Sequence, residues 1–144
     1  MTDAPSALSR SLRTYLDARN AAIVTARQSL RISETDAKAL LFIVANPGTR
    51  PTNLRDHLGI TSAGVTTLID RLVERMIVRR DVDAADRRVN RITATIDMAE
   101  DPWSALSRFD DDFEVAVLDQ DPTSTDEFAA LLDGILAAAA EAKR

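Results

Sequence analysis

Cysteine is absent from the 144 residues. No disulfide framework, thiol redox switch or thiolate metal site can be built without it. Histidine occurs once, at His57, which leaves a transition-metal sensor site short of its usual ligands. No run approaches the roughly 20 consecutive apolar residues that a membrane span needs. The N-terminal stretch MTDAPSALSRSLR lacks a basic region followed by an apolar core, so it does not read as a secretory signal. The expected location is cytoplasmic, with no membrane partner. There is no glycine-rich phosphate loop, no nucleophile–base–acid constellation and no metal-ligand spacing, so neither an enzymatic activity nor a cofactor is expected. An excess of positive charge is missing too, since the net charge is −5.

Hydrophobic residues make up 45% and charged residues 28%, enough to bury the core of one domain with an added association element. The charge is unevenly spread. Residues 50–91 hold nine arginines against six acids, a balance of +3, and the remainder carries −8. A basic middle between acidic flanks suits a chain that grips a polyanion with one face and repels it elsewhere.

Residues 6–30 read as a long helix, with Leu8, Leu12, Leu16, Ile23, Ala26 and Leu30 at helical spacing and Ser6 as cap. Ser33 caps a second helix whose inner face is Leu40, Leu41 and Val44, and Asn46-Pro47-Gly48 stops it. A short third helix runs from about Thr52 to Leu58 and ends at Gly59. A fourth, 62–75, turns Val65, Leu68, Ile69 and Leu72 inward. Residues 77–80 and 89–96 read as two strands of a hairpin with DVDAADRR between them. Asp101-Pro102 marks a further helix start, with Trp103, Leu106, Phe109, Phe113, Ala116 and Val117 as its stripe to about Leu118. A last helix follows Pro122, with a capping box at Ser124–Glu127. The fold class is mostly α with a small β-hairpin. The predicted division is 1–32 for an N-terminal association helix, 33–97 for the central module and 98–144 for C-terminal association helices. Three apolar stripes at the ends exceed what one small module can cover, which predicts a homodimer joined through those ends.

The run Gly59–Arg91 has the order of parts that a duplex reader needs. The outward residues of helix 62–75, among them Ser62, Thr66 and Thr67, are small over the first two turns, so the helix can enter a groove. Arg50, Arg71, Arg75, Arg79 and Arg80 are phosphate candidates, and Arg75, Arg79 and Arg80 read equally well as solvated charges. Arg87 and Arg88 stand at the hairpin tip.

These residues resemble the MarR family of winged helix-turn-helix regulators. The matching pieces are LRDHLGI from Leu54, VTTLIDRLVE from Val65, Ile77-Val78-Arg79-Arg80, and DAADRRV from Asp83. The resemblance covers roughly residues 30–96. It implies a winged helix-turn-helix core with terminal helices forming a dimerisation region. It also implies double-stranded DNA as partner, at a pseudo-palindromic operator, and a small phenolic or aromatic carboxylate ligand that weakens DNA binding. Ser62, Thr66 and Thr67 would then face bases, with Arg71, Arg50 and Arg79 beside them. Of Arg87 and Arg88, one would enter the minor groove and the other pair with Asp70 to hold the wing. Arg87 is favoured at the groove and the reverse stays open; Asp86 would help position the wing. Met76, Arg55 and Met98 depart from the pattern, standing where members usually carry glycine, alanine and glycine. A left-handed backbone at Met76 would cost about 1 kcal/mol.

Other features read more plainly. His57 fits a surface or half-buried structural histidine. Asp110-Asp111-Asp112 and Glu114 fan around a helix and fit a solvated face better than a metal site. Trp103, Phe109, Phe113 and Phe42 are either core or the lining of an apolar ligand cleft; the ligand-binding residues are not legible. The expected function is a sequence-specific DNA-binding transcriptional regulator, a repressor. The alternative is a winged-helix protein-interaction module, an antirepressor or adaptor without DNA, suggested by the acidic composition and by the lack of arginine early in helix 62–75.

Overall fold

A computed structural model describes residues 4–142. Two compact units divide the chain, residues 1–107 and 108–144.

The first unit begins with α1, Ala7–Leu30, capped by the Ser6 hydroxyl, which accepts from the Ser9 N–H at 3.1 Å. Its apolar stripe divides along its length. Ala26 and Leu30 at the C-terminal end are buried, whereas Leu16 is 60% exposed. Arg31 takes the left-handed conformation at φ 54° and turns the chain into α2, Glu34–Ala45. There Ser33 and Asp36 form a reciprocal capping box that satisfies two N-terminal donors. Helix α3, Pro51–Leu58, starts on a proline at its first position and ends at Gly59 with φ 65°. Helix α4, Ser62–Glu74, takes Thr61 as cap and buries Val65, Leu68, Ile69 and Leu72.

Strands β1, Val78–Val82, and β2, Asn90–Ala94, pair antiparallel, with Arg80 opposite Ile92 and Val82 opposite Asn90. The α2–α3 loop adds a third edge: Ile92 N–H donates to the Thr49 carbonyl at 2.8 Å, and Gly48 N–H to the Ile92 carbonyl at 3.0 Å. This stitch anchors the hairpin to the helices, and Leu40, Ile43, Leu54, Ile69, Leu72, Ile77 and Ile92 fill the core between them.

Two expected helix starts fall elsewhere. The single helix expected from Pro102 to Leu118 is a 3-10 turn, Trp103–Leu106, followed by α5, Arg108–Leu118. The tight turn sinks Leu106, 2% exposed, into the first unit's core, and α5 buries no residue at all. One continuous rod does not meet both demands. Helix α6, Pro122–Glu141, is capped by Asp121, which accepts from Ser124 N–H at 2.9 Å. Proline at the first helical position lacks the N–H that would be orphaned there, so the helix starts before the Ser124 box. Helices α5 and α6 of the second unit expose Phe113, Val115, Leu118, Phe128, Leu131, Ile135 and Leu136. Among the described residues no helix is long and apolar enough to cross a membrane.

Candidate nucleic-acid interface

Helix α4 presents Ala63, Thr66, Thr67 and Asp70 along one stripe, at positions i, i+3, i+4 and i+7, opposite its buried face. Ser62, Thr66 and Thr67 are exposed, as a groove-facing surface requires. Their hydroxyls are not all free. Thr66 donates to the Ser62 carbonyl and Thr67 to the Ala63 carbonyl, each at 3.1 Å.

The nine arginines of residues 50–91 sort by partner. Arg71 was a phosphate candidate in the sequence; its guanidinium instead holds the Asp36 carboxylate, with Nε donating to Oδ2 at 3.2 Å and Nη2 to Oδ1. Asp36 is 3% exposed, so this is an internal clamp between α2 and the C-terminal half of α4. Burial pushes the Asp36 carboxyl up, but the Arg71 and Ser33 hydrogen bonds outweigh it and hold the group below the usual aspartate range. The same contact raises Arg71. Arg75 donates to the Leu30 and Arg31 carbonyls, both at 2.9 Å, and so satisfies the end of α1. Arg79 pairs with Asp81 and Arg55 with Asp56, on the surface.

Asp70 is paired, but with Arg80 rather than with Arg87 or Arg88. Arg80 lies on β1, which packs directly on α4, whereas Arg87 and Arg88 stand beyond both strands in the hairpin loop. The wing is held by a different acid. Asp83 accepts from the Ala85 N–H at 2.8 Å, the Asp86 N–H at 3.3 Å and Arg91 Nε at 2.7 Å. The Ala85 N–H, then Arg91 and the Asp86 N–H, lower its pKa. Asp86 shapes the tip locally, accepting from the Arg88 N–H at 3.0 Å. Arg91 also reaches the Gly48 carbonyl at 3.3 Å, tying the wing to the α2–α3 loop.

Among the described residues, three of the nine arginines carry no such partner: Arg50 at the cap of α3, and Arg87 and Arg88 at the wing tip. All three are exposed. Sequence reasoning gave no role to Asp36, Asp83 or Arg91. The D-x-x-D spacing of Asp83 and Asp86 in a loop was a turn signal that pointed to the latter pair.

His57 stacks on Phe42 with ring centroids 4.2 Å apart, which is a structural role at the α2–α3 contact. Between α1 and α2 lies a cleft of about 280 Å³, lined by Ile23, Val24 and Leu41 and by the charged Arg19, Arg27, Lys38 and Glu34. The Nε of Arg27 is buried there with no hydrogen-bond partner among the described residues.

Residues 32–89 match the MarR family. Solved structures share the fold over nearly the whole chain. MepR of Staphylococcus aureus bound to ethidium bromide is 20% identical, with a TM-score of 0.68 over 90% of this chain and 94% of that one. A point variant of MepR bound to an oligodeoxyribonucleotide is 20% identical, with a TM-score of 0.61 over 93% and 99%. The transcriptional regulator SlyA is 17% identical, with a TM-score of 0.58 over 94% and 96%. No curated protein matches the chain by sequence.

Proposed function

We propose that the chain, whose residues 32–89 match the MarR family, is a DNA-binding transcription regulator that acts as a homodimeric repressor at a pseudo-palindromic operator, released by a small aromatic anion. Helix α4 lies in the major groove, Arg87 enters the adjacent minor groove, and Arg50 and Arg88 meet phosphates. The observation that carries this is the set of three exposed arginines without partners, at the cap of α3 and at the wing tip. Six other arginines in the same basic stretch have partners within the chain, two of them in surface pairs.

The apolar faces of α5 and α6, together with Leu16 of α1, support a second copy as their cover. Closed two-fold symmetry then sets two α4 helices about 34–36 Å apart, one helical turn of DNA. The cleft between α1 and α2 supports the ligand. Its apolar wall suits an aromatic ring, and Arg19 and Arg27, beside a Lys38 that pairs with Glu34 at 2.7 Å, suit a carboxylate. A ring wedged there spreads the α1–α2 junction, to which Arg71 and Arg75 fasten α4. DNA release follows from the displacement of that helix. MepR binds ethidium, a cation; the basic cleft of this chain favours the opposite sign.

Fluorescence anisotropy with a labelled duplex from the promoter beside its own gene tests the proposal. Four arginine–phosphate contacts per dimer, Arg50 and Arg88 from each copy, give a slope of log affinity against log salt of about −4. Arg87→Ala with Arg88→Ala should abolish specific binding and leave the dimer intact. Salicylate should weaken the wild-type complex. Affinity flat in salt and indifferent to the wing variants would refute DNA as the partner.

A further inference from the structure

Helix α4 is unusual for a major-groove helix in what its groove-facing stripe offers. Guanine is recognised by arginine or lysine at O6 and N7, and adenine by asparagine or glutamine at N6 and N7. None of these residue types stands in the first two turns, Ser62 to Asp70. Farther along, Asp70 is held by Arg80 and Arg71 by Asp36. The hydroxyl hydrogens of Thr66 and Thr67 are engaged by the helix's own carbonyls. Each threonine therefore turns a donor inward and keeps its methyl branch on an exposed side chain. With the Ala63 methyl, the stripe 63–66–67 is a row of methyl groups, bounded at its N-terminal end by the hydroxyls of Thr61 and Ser62.

We propose that Ala63, Thr66 and Thr67 read the 5-methyl group of pyrimidines in the major groove. The protein thus selects thymine, and equally 5-methylcytosine, by apolar contact rather than by base-edge hydrogen bonds. The inference rests on the DNA-binding reading above and deepens it by naming what the helix recognises. A methyl lost from such a contact weakens binding about fourfold. Removing the thymine methyl leaves base pairing and phosphates untouched, so the effect is confined to this contact.

The test starts from the duplex that the purified full-length protein enriches from a randomised pool. That duplex is synthesised with thymine or with uracil at each half-site position facing α4. Wild-type protein should bind the uracil duplex about fourfold more weakly per methyl removed. Thr66→Ser with Thr67→Ser, which keep the hydroxyls and remove two of the three reading methyls, should lose the preference for thymine at every position except one facing Ala63. Thr66→Val with Thr67→Val, which keep the methyls, should retain the preference for thymine. Equal affinity of the wild type for both duplexes, with the salt slope and wing dependence intact, overturns this inference and spares the proposed function. Loss of discrimination in the valine pair but not in the serine pair overturns it in favour of hydroxyl readout. Enrichment of no duplex overturns both.

Discussion

Replacing Arg71 with alanine separates two roles for one side chain. As a phosphate contact it would matter only when DNA is bound. As the partner of Asp36 it matters to the free protein. The Asp36 side chain is 4% exposed and that of Arg71 44%. Stripping a buried carboxylate of its counter-charge costs about 3–5 kcal/mol. Here the guanidinium is solvent-screened, and the carboxylate keeps the Ser33 N–H at 3.2 Å, so the expected cost falls to roughly 2–3 kcal/mol. Asp36→Asn should cost about 2 kcal/mol, because it keeps the volume and loses the charge. The double variant should show a coupling of about 1–2 kcal/mol. Urea denaturation at fixed protein concentration reads all three, since a dimer's midpoint depends on concentration. A cost below about 0.5 kcal/mol for Arg71→Ala, the range of ordinary surface changes, would return Arg71 to the DNA interface.

The same pair sets a pH dependence. The folded pKa of Asp36 lies below its ordinary value of 3.8. Its contribution is therefore fully present above that value and is lost as pH falls through the folded pKa. Acid unfolding of wild type minus that of Asp36→Asn should converge only in that acidic window and stay parallel at neutral pH.

Three further outcomes are expected. Met76 sits at φ 58° with its side chain 79% exposed, so Met76→Gly should raise stability by about 0.5–1 kcal/mol in urea; destabilisation would mean that the thioether packs on something. Asp83→Ala should speed amide exchange across 83–91 and weaken operator binding while the urea midpoint stays put, because its partners are confined to the wing; a lowered midpoint would make it a core support. Leu131→Glu with Ile135→Glu should yield a folded monomer by sedimentation equilibrium, these side chains being 58% and 43% exposed; an unchanged dimer would place the second copy elsewhere.

The elements whose ends carry local chemistry were legible in the sequence. Ser6, Ser33 and Gly59 each fix a helix end through bonds within a few residues. The turn at Trp103–Leu106 was not, because the apolar spacing from Trp103 to Val117 is helical throughout. Only burial of Leu106 in one unit, beside an α5 that buries no residue fully, divides it. The outward placement of Ser62, Thr66 and Thr67 follows from helical periodicity once the inner face is known.

The arginines show the limit of such reasoning. Counting charge along residues 50–91 gives nine arginines, of which Arg50, Arg71, Arg75, Arg79 and Arg80 read as phosphate candidates and Arg87 and Arg88 as the wing tip. Folding supplies partners to six: Arg55 and Arg79 find acids one and two residues away, but the partners of Arg71, Arg75 and Arg80 lie at sequence distances that no pattern marks. Asp36 is 35 residues from Arg71, and Leu30 is 45 from Arg75. Asp70 is within reach of Arg80 only because β1 packs on α4. What remains is a small set at the two ends of the helix-turn-helix, Arg50 before it and Arg87 and Arg88 past the hairpin. On the proposed reading an acidic chain binds DNA with so few free cations because Arg71, Arg75 and Arg80 fix the helix that those three flank. Rigidity of α4 then does part of what a larger positive patch would do, by lowering the ordering cost of binding.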